Sequence, residues 1–262
     1  MPKENKINVS IIMNCHNGET FLRQSVRSVI NQTYENWELI FFDNFSNDNS
    51  LKIINSFNDS RIKVFKSEKF INLYHARNEA IKLTKGRYIC FLDTDDYWKK
   101  EKIEQQIKFL DKNKEYAMVY SNFYTIKNKK TEYIQNNYNL PEGKITRDLL
   151  KKYPIGILTT FIKKEIFENN LFDEKTNIIG DFDFFIKLSC EHNIGCIQKP
   201  LAFYRDHADN LSKKKLETYV NELDNWIRNN EQKFREIGIS LIYIKILLYK
   251  LRLKNFLKKL GV

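Results

Sequence analysis

Three carboxylates stand together in the sequence at Asp93, Asp95 and Asp96, directly after the apolar run 87–92. A run of this length that is rich in β-forming residues predicts a buried strand. Asp93 and Asp95 are two residues apart, so in extended backbone their side chains point to the same side. Two converging carboxylates suit a hard divalent cation that also holds the phosphates of a substrate. The alternative is a solvated turn in which Asp95 or Asp96 caps a helix that begins near residue 97.

The first half of the chain alternates between predicted strands and predicted helices. Apolar runs and helical spacing assign these elements, in chain order, to 9–13 (strand), 19–31 (helix), 37–42 (strand), 51–57 (helix), 62–65 (strand), 75–83 (helix), 87–92 (strand) and 101–113 (helix). This order is typical of a parallel, Rossmann-like sheet. In such sheets ligands bind beyond the carboxyl ends of the strands, where the acidic cluster lies.

The second half of the chain is less regular. Polar residues predict an irregular segment at 127–142, and from residue 212 onward the pattern is helical. The other predicted elements of this half are the strands 118–126, 157–162 and 201–205 and the helix 181–192.

The composition is that of a globular protein, since 42% of the 262 residues are hydrophobic and 29% are charged. The net charge is +11, but no arginine-rich stripe or nucleic-acid-binding signature occurs, so nucleic acid is not expected as a partner.

The four cysteines form no CxxC pair, which argues against a zinc site. Residues 1–8 lack the apolar segment of a signal peptide and no run of 18 apolar residues occurs, so a cytoplasmic location is expected.

Six motifs occur in an order and at spacings that resemble one protein family. They are the strand and HNGE loop at 9–19, the strand and DNFSND loop at 42–48, HARN at 75–78, FLDTDDYW at 91–98, GDFD at 180–183 and YRDH at 204–207. Together they resemble a bacterial family 2 glycosyltransferase over residues 7–212. The resemblance implies an α/β protein with the GT-A fold, in which helices flank a Rossmann-like, mainly parallel sheet and a helical extension follows.

The resemblance also implies a binding site for a nucleotide-sugar donor. In the family the Asp after the second strand contacts the base, and a carboxylate at Asp43 would accept the uracil N3–H of a UDP-sugar. Where the family often has a second Asp followed by Gly, this chain has Asn44 and Phe45. The residues expected to contact the donor are Cys15, His16, Asn17, Asp43, Arg77, Asp93 and Thr94.

A metal site and a general base follow from the same resemblance. Asp93, Asp95 and His207 are expected to hold Mn²⁺ or Mg²⁺ against the donor diphosphate. Asp181 is expected to act as the general base, with Asp183 as the second choice. The alternative for Asp181 is an ordinary helix N-cap. The family usually has Glu before this Asp, whereas this chain has Gly180.

The implied reaction is an inverting transfer of a sugar to a glycan or lipid-linked acceptor in the synthesis of a surface polysaccharide. The departures at Asn44, Phe45 and Gly180 keep a second hypothesis open, a non-catalytic nucleotide-sugar-binding or scaffold protein with the same fold. A sugar-phosphate nucleotidyltransferase is disfavoured because its glycine- and arginine-rich loop is missing after the first strand. A dinucleotide-dependent oxidoreductase is excluded because no GxGxxG follows a strand.

The predicted organisation divides the chain near residue 215. Residues 1–215 form the GT-A domain, with a nucleotide-binding half at 1–115 and an acceptor half at 116–215. Residues 216–262 form a basic, amphipathic helical extension.

The C-terminal helix carries two apolar stripes and six basic residues between 245 and 259. One stripe is expected to dock on the domain. The other is expected to contact a bilayer at the inner face of the plasma membrane, or a second subunit. A docked helix with solvated lysines is the third alternative. The larger stripe is Ile242, Ile246, Tyr249, Leu253, Leu257 and Leu260, and the smaller is Ile244, Leu248 and Leu251.

Overall fold

The computed structural model describes residues 7–127 and 131–259. Within these ranges the strands form one nine-stranded sheet. Its first half is parallel and has the spatial order β3-β2-β1-β4, where the strands are β1 (Val9–Cys15), β2 (Trp37–Asp43), β3 (Ile62–Lys66) and β4 (Tyr88–Phe91). β2 and β4 are buried along their whole length, as expected of parallel strands that are covered on both faces. The acidic cluster follows β4, at the edge of the sheet where β1 and β2 also end.

Four helices connect and cover these strands. They are α1 (Glu19–Ile30), α2 (Ser50–Asn55), α3 (Leu73–Lys82) and α4 (Lys102–Lys112). The side chain of Asn72 caps α3 by accepting a hydrogen bond from the backbone N–H of His75 at 2.8 Å. This start places Arg77 on the buried face of α3, directed towards the carboxyl ends of the strands.

The second half of the sheet has mixed directions. β8 (Phe161–Lys163) is antiparallel to both β4 and β6 (Tyr116–Lys127), whereas β6 and β9 (Asn193–Asp206) run parallel over most of their length. The α/β class is therefore confirmed, with a sheet that is parallel in its first half and mixed in its second. The strands of this half are β5 (Tyr97–Trp98), β6 (Tyr116–Lys127), β7 (Thr131–Ile134), β8 (Phe161–Lys163) and β9 (Asn193–Asp206).

Two predicted elements differ from the structure for local reasons. The predicted strand at 157–162 is a 3₁₀ turn (Ile157–Thr159) followed by β8, because the hydroxyls of Thr159 and Thr160 donate hydrogen bonds back to carbonyls three residues earlier. The alternative helix start near residue 97 is also wrong. Residues 97–98 form β5 on β9, and α4 begins at Lys102.

The remaining helices are α5 (Thr146–Lys151), α6 (Gly180–Glu191), α7 (Leu211–Lys214), α8 (Leu216–Glu236) and α9 (Ile242–Lys259). All of them except α7, which has no buried residue, add side chains to the core on one face of the sheet. Alternate residues of β1 belong to the two faces, since Ile12 packs in the cluster that contains α6 and α8 and Ile11 in the cluster that contains α1 and α4.

The C-terminal helices share this core. Trp226 of α8 is buried and donates a hydrogen bond from Nε1 to Oδ1 of Asp183 on α6, at 2.8 Å. Ile244 and Leu248 of α9 lie in the same cluster. The division near residue 215 stays a prediction. No helix in residues 7–127 and 131–259 is both long and apolar enough to cross a membrane.

Candidate active site

A cavity of about 750 Å³ opens at the carboxyl edge of the parallel strands. Its volume is in the range of sites that bind small molecules and cofactors. The sequence-predicted residues that line it are Cys15, His16, Arg77, Asp93, Thr94, Asp95 and Asp181. Three further predicted residues, Asn17, Asp43 and His207, lie beside the cavity wall and not in its lining. The structure thus brings together side chains from β1, α3, the loop after β4 and α6.

Arg77 and Asp93 form an ion pair in the cavity wall. Nη2 of Arg77 lies 2.9 Å from Oδ1 and 3.2 Å from Oδ2 of Asp93. The arginine side chain is 3% exposed, whereas the aspartate is 37% exposed and faces the cavity. A buried guanidinium needs a partner of opposite charge. Asp93 is therefore held in place by α3, and its outer side stays open to a ligand.

Asp95 and His207 form the second polar pair of the site. Nε2 of His207 lies 3.0 Å from Oδ2 of Asp95, and both side chains are partly exposed. Burial, reinforced by the neighbouring charge of Asp93, raises the pKa of Asp95. The contact joins the loop after β4 to the end of β9, which are 112 residues apart in the chain. It brings the DTDD and YRDH motifs into one site.

Asp96 holds β9 against the loop that follows β4. It is 2% exposed, and its Oδ1 accepts the backbone N–H of Arg205 at 2.8 Å. Burial raises the pKa of Asp96 well above its usual range, with the charges of Asp95 and Asp93 adding to the effect. The third carboxylate of the cluster thus fastens β9 to the loop.

Asp181 lies in the first turn of α6 and faces the cavity. Its Oδ1 accepts the hydroxyl of Tyr74 at 3.2 Å and the backbone N–H of Phe182 at 2.8 Å. Burial raises the pKa of Asp181, an effect that Arg77 and these hydrogen bonds partly oppose. A carboxylate with a raised pKa suits a group that takes up a proton near neutral pH. The N-cap of α6 is Ile179, so Asp181 does not occupy the N-cap position.

Gly180 is explained by the packing of Tyr74. A Cβ atom at residue 180 would lie 2.7 Å from the ring of Tyr74 and 2.7 Å from Oγ1 of Thr176. The hydroxyl oxygen of Tyr74 also lies 2.8 Å from the carbonyl oxygen of Ile178, so its single proton is shared between this carbonyl and Asp181. The space beside Asp181 is therefore filled by an aromatic ring, which leaves no room for a larger residue at position 180.

Asp43 is buried at the end of β2 with one oxygen unpartnered. It is 2% exposed, and Oδ2 accepts the backbone N–H of Ser46 at 3.2 Å. Among the described residues, Oδ1 of Asp43 and Nδ2 of Asn14 are both buried without a hydrogen-bond partner. Such groups are rare and costly in folded proteins. The carboxyl ends of β1 and β2 therefore hold one hydrogen-bond acceptor and one donor that have no partner among the described residues.

The departures after Asp43 have local structural roles. The side chain of Asn44 accepts the backbone N–H of Ile71 at 3.0 Å and donates to its carbonyl at 2.7 Å. Phe45 has φ 62°, a left-handed conformation that glycine adopts most easily. Asn44 thus secures the segment before α3, and the backbone at Phe45 keeps the shape for which glycine is favoured.

The loop after β1 is closed by short polar contacts. The backbone N–H of Asn17 donates to Oγ of Ser46, and its side-chain carbonyl accepts the backbone N–H of Asn47. Nδ1 of His16 lies 2.9 Å from the carbonyl oxygen of Asn44. A Cβ atom at Gly18 would lie 2.7 Å from Oγ1 of Thr94. Glycine therefore allows this loop to pack directly on the acidic cluster.

The sequence profile of Glycosyl transferase family 2 matches residues 10–171, which is more than half of the chain. The chain belongs to this family. It is therefore a glycosyltransferase, and the predicted recognition is confirmed. The matched residues include Asp43, Arg77 and the acidic cluster, whereas Asp181 and His207 follow the matched range.

Curated relatives of this family 2 member include bacterial enzymes of known specificity. It is 36% identical over 191 residues to WfgD of Escherichia coli, named UDP-Glc:alpha-D-GlcNAc-diphosphoundecaprenol beta-1,3-glucosyltransferase, and the alignment covers 72% of each chain. It is 44% identical over 116 residues to WfaP of the same species, covering 44% of this chain and 46% of WfaP. It is 33% identical to TuaG of Bacillus subtilis, named a putative teichuronic acid biosynthesis glycosyltransferase, over 60% of this chain and 62% of TuaG.

Solved structures share the fold of this family 2 glycosyltransferase. The crystal structure of residues 1–349 of TarS from S. aureus superposes with a TM-score of 0.66 at 17% identity, over 84% of this chain and 65% of that one. The complex of TarS with UDP-GlcNAc superposes with a TM-score of 0.63 at 16% identity, over 84% of this chain and 66% of that one. The predicted GT-A fold is thereby confirmed. The chain spans just under two thirds of these TarS structures.

The side chains that could act as metal ligands decide whether a divalent cation fits this site. Within the described residues, no three His, Cys, Asp or Glu side chains are grouped closely enough to hold a metal by themselves. Asp95 and His207 supply one carboxylate and one imidazole side by side, while Asp93 is bound to Arg77. Mg²⁺ is often bound by one or two carboxylates together with substrate phosphates, and imidazole suits Mn²⁺. The residues therefore fit a cation whose coordination is completed by a diphosphate.

Two residues of the site were missed in the sequence. Tyr74 has no motif of its own and lies just before the predicted helix 75–83. The observed helix α3 begins at Leu73, and on it Tyr74 precedes Arg77 by three residues, a spacing that places both on one face. Glu222 lies on α8 and accepts hydrogen bonds from the backbone segment before α6. No sequence signal indicates a contact between elements 44 residues apart.

Proposed function

We propose that this chain transfers a hexose from a UDP-sugar to a lipid-linked glycan during the synthesis of a surface polysaccharide. The observation that carries this proposal is the common cavity, which is lined by Asp93, Asp95 and Asp181 and has the size of a nucleotide-sugar site. The specificities named for WfgD and WfaP, UDP-Glc as donor and a diphosphoundecaprenol-linked GlcNAc as acceptor, support the same substrate classes here.

The donor nucleotide is proposed to lie at the ends of β1 and β2. The unpartnered Oδ1 of Asp43 is suited to accept the N3–H of uracil, which would satisfy a buried acceptor. Arg77 keeps Asp93 in a fixed position at the cavity wall, on the side where the diphosphate would lie. These contacts distinguish a uridine nucleotide by its base and orient the sugar for attack.

Asp181 is proposed to act as the general base of an inverting displacement. The acceptor hydroxyl attacks the anomeric carbon while its proton passes to the carboxylate of Asp181. The bond between the anomeric carbon and the phosphate oxygen breaks, and UDP leaves with the electron pair. Tyr74 and the amide of Phe182 hold Oδ1, and among the described residues Oδ2 forms no hydrogen bond. Oδ2 is therefore the oxygen that is free to take the proton.

A divalent cation, Mn²⁺ or Mg²⁺, is part of this proposal. Asp95 and His207 would hold it, and when bound it would neutralise the charge that grows on the departing diphosphate. Asp96 and Arg205 keep the two elements that carry these ligands in register.

The acceptor is proposed to enter on the side of the cavity formed by the second half of the chain. Tyr133 and Gln135 line this side, although their segment was predicted to be irregular. Ile157 and Leu158 of the 3₁₀ turn and Lys215 near the start of α8 complete it. A mixed aromatic, apolar and basic surface suits a glycan that carries a diphosphate.

The test is a donor screen in which release of UDP is measured from UDP-Glc, UDP-Gal, UDP-GlcNAc and UDP-GalNAc. Each donor is assayed with and without a synthetic GlcNAc-diphosphate-lipid. The expected result is release that depends on the acceptor for a UDP-hexose, with a product one hexose heavier. A protein that binds UDP but releases none from any donor would support the non-catalytic alternative. The names of the curated relatives favour the enzyme.

A further inference from the structure

α9 has two apolar faces that point in opposite directions. The inner face, which includes Ile244 and Leu248, packs into the core. The structure therefore assigns the docking role to the smaller of the two stripes. The outer face is defined by Ile242, Ile246, Tyr249, Leu253, Phe256 and Leu257, whose exposed fractions range from 39% to 70%. Leu260, which was assigned to the same stripe, lies outside the described residues. An apolar strip of this length on the surface is typical of an interaction site.

The basic residues of α9 divide into two flanks with different partners. On one flank, Lys245, Arg252 and Lys259 form ion pairs with acidic residues of α8, at 2.5, 3.0 and 2.9 Å. On the other, Lys250, Lys254 and Lys258 follow one another at intervals of four residues. Among the described residues these three lysines form no ion pair with an acidic side chain. We call them the free lysine row.

We propose that the outer face and the free lysine row bind the surface of an anionic lipid bilayer. The apolar side chains would enter the boundary between head groups and acyl chains, and the lysines would contact the anionic head groups. A second copy of the chain fits this surface poorly. Residues 237–262 contain no acidic residue, so a twofold contact between two α9 helices would bring lysines together without compensating charge.

The position of α9 relative to the cavity gives this surface a function. Lys259 at the end of α9 contacts Glu217 in the first turn of α8, and Lys215, two residues earlier, lines the cavity. A bilayer against α9 therefore lies near the cavity rim, where a lipid-linked acceptor would present its diphosphate. This step rests on the proposed acceptor, whereas binding to the bilayer does not.

The test measures binding to vesicles without donor or acceptor, so that it is independent of sugar transfer. Co-sedimentation is compared for phosphatidylcholine vesicles and for vesicles that also contain phosphatidylglycerol. We expect binding to the anionic vesicles, and we expect the triple variant K250Q/K254Q/K258Q to weaken it by roughly 10- to 100-fold. Leu253→Ser with Phe256→Ser should weaken binding to both kinds of vesicle. These side chains are exposed, so the variants should keep the thermal stability of the parent protein.

A matched control removes three positive charges from a different part of the protein surface. K52Q/K63Q/K112Q changes three exposed lysines of the nucleotide-binding half and should leave vesicle binding unchanged. The proposal is overturned if this control weakens binding as much as the row variant, because binding would then reflect total charge. It is also overturned if anionic vesicles are not bound, or if the Leu253 and Phe256 changes convert a dimer into a monomer and leave vesicle binding intact.

Discussion

The carboxylate of Glu222 on α8 accepts a hydrogen bond from the backbone N–H of Ile178 at 2.9 Å. It also accepts the N–H groups of Asn177 and Ile179, at 2.7 and 3.2 Å. These amides lie at the entry to α6, where a helix start leaves N–H groups without intrahelical partners. Glu222 thus fixes the segment directly before Asp181 from a helix near the end of the chain.

Glu222→Ala is expected to lower the turnover of the enzyme more than its affinity for the donor. Loss of the three acceptor contacts lets the start of α6 move, and a displacement of about 1 Å at the base costs up to roughly 100-fold in rate. Steady-state kinetics should show a kcat at least about tenfold lower and a donor KM changed by less than about twofold. Glu236→Ala, on the same helix and exposed, is the control and should match the parent enzyme. An unchanged kcat for Glu222→Ala would exclude the positioning role.

Asp181→Asn tests the general base. Asn keeps an acceptor for Tyr74 and Phe182 but cannot take the proton, so we expect transfer to fall by at least about 100-fold while UDP affinity stays constant. Because burial raises the pKa of Asp181, its charged form destabilises the folded state at neutral pH. The melting temperature of the variant at pH 7 should therefore not fall. Asp183→Asn, which weakens contacts to Trp226 and Lys187, is the comparison and should lose stability instead.

Near-normal transfer by Asp181→Asn would contradict the assignment and direct attention to Asp183. The parent enzyme gives an independent measure, since a base works when deprotonated. Its kcat should decline as the pH falls through the pKa of Asp181, which lies above the ordinary value of 3.8. The residual activity of the variant should lack that decline.

The metal prediction concerns Asp95 and His207. Asp95→Ala removes the carboxylate beside the imidazole, so we expect it to abolish transfer and the enhancement of UDP binding by Mn²⁺ in titration calorimetry. The control is Asp209→Asn, because Asp209 also lines the cavity but is exposed and pairs with Lys214. It should retain the Mn²⁺ effect. Full activity of the parent enzyme in excess EDTA would show that no divalent cation is needed.

The preference for uracil over other nucleotide bases is expected to depend on Asp43. UDP with Mn²⁺ should raise the melting temperature more than GDP or CMP does, because a ligand that binds the folded state stabilises it. Asp43→Asn places an N–H donor or a single acceptor where two oxygens stood, and the preference for UDP should be lost. Asp48→Asn, in the same loop, serves as the control, because both carboxylate oxygens of Asp48 already accept backbone N–H groups, those of Glu19 and Ser50. Better protection by GDP or CMP than by UDP would mean that the base assignment is wrong.

Most of the parallel half of the fold was predictable because its strands are short apolar runs separated by turn residues. β1, β2 and β3 begin at the predicted residues. β9 was predicted only at 201–205, whereas it spans Asn193–Asp206. Its middle residues Gln198 and Lys199 are exposed, and the register with β6 shifts near Asn122, so the regular alternation on which the prediction rests is interrupted.

The side chains of the proposed substrate site were only partly predictable from the sequence. The motifs located Asp93, Asp95 and His207, and their closeness follows from the ends of β4 and β9 meeting at one edge. Tyr74 and Glu222 act through tertiary contacts between helices, which hydrophobic periodicity does not encode. Periodicity states which face of a helix is buried, and it does not state which polar group that face will meet.

Lys102 is a buried cation that the proposed reaction does not use. It is 0% exposed, and its Nζ donates to Oε1 of Gln106 at 2.6 Å and lies 4.1 Å from the ring centre of Trp98. Burial lowers the pKa of Lys102 from 10.5 to about 8. The folded state therefore releases this proton at a lower pH than the unfolded state does.

The free energy of unfolding should consequently depend on pH through Lys102. Between about pH 8 and 10.5 the unfolded chain holds the proton that the folded chain has lost, so this group's contribution rises with pH. Lys102→Met removes the buried charge, and we expect it to be more stable than the parent at pH 7.5 by on the order of 2–3 kcal/mol. Urea unfolding at a series of pH values should show this difference shrinking as the pH rises towards 10. Lys108→Met, an exposed change on the same helix, should follow the parent throughout. Parallel pH profiles for Lys102→Met and the parent would mean that Lys102 keeps its ordinary pKa in the folded protein.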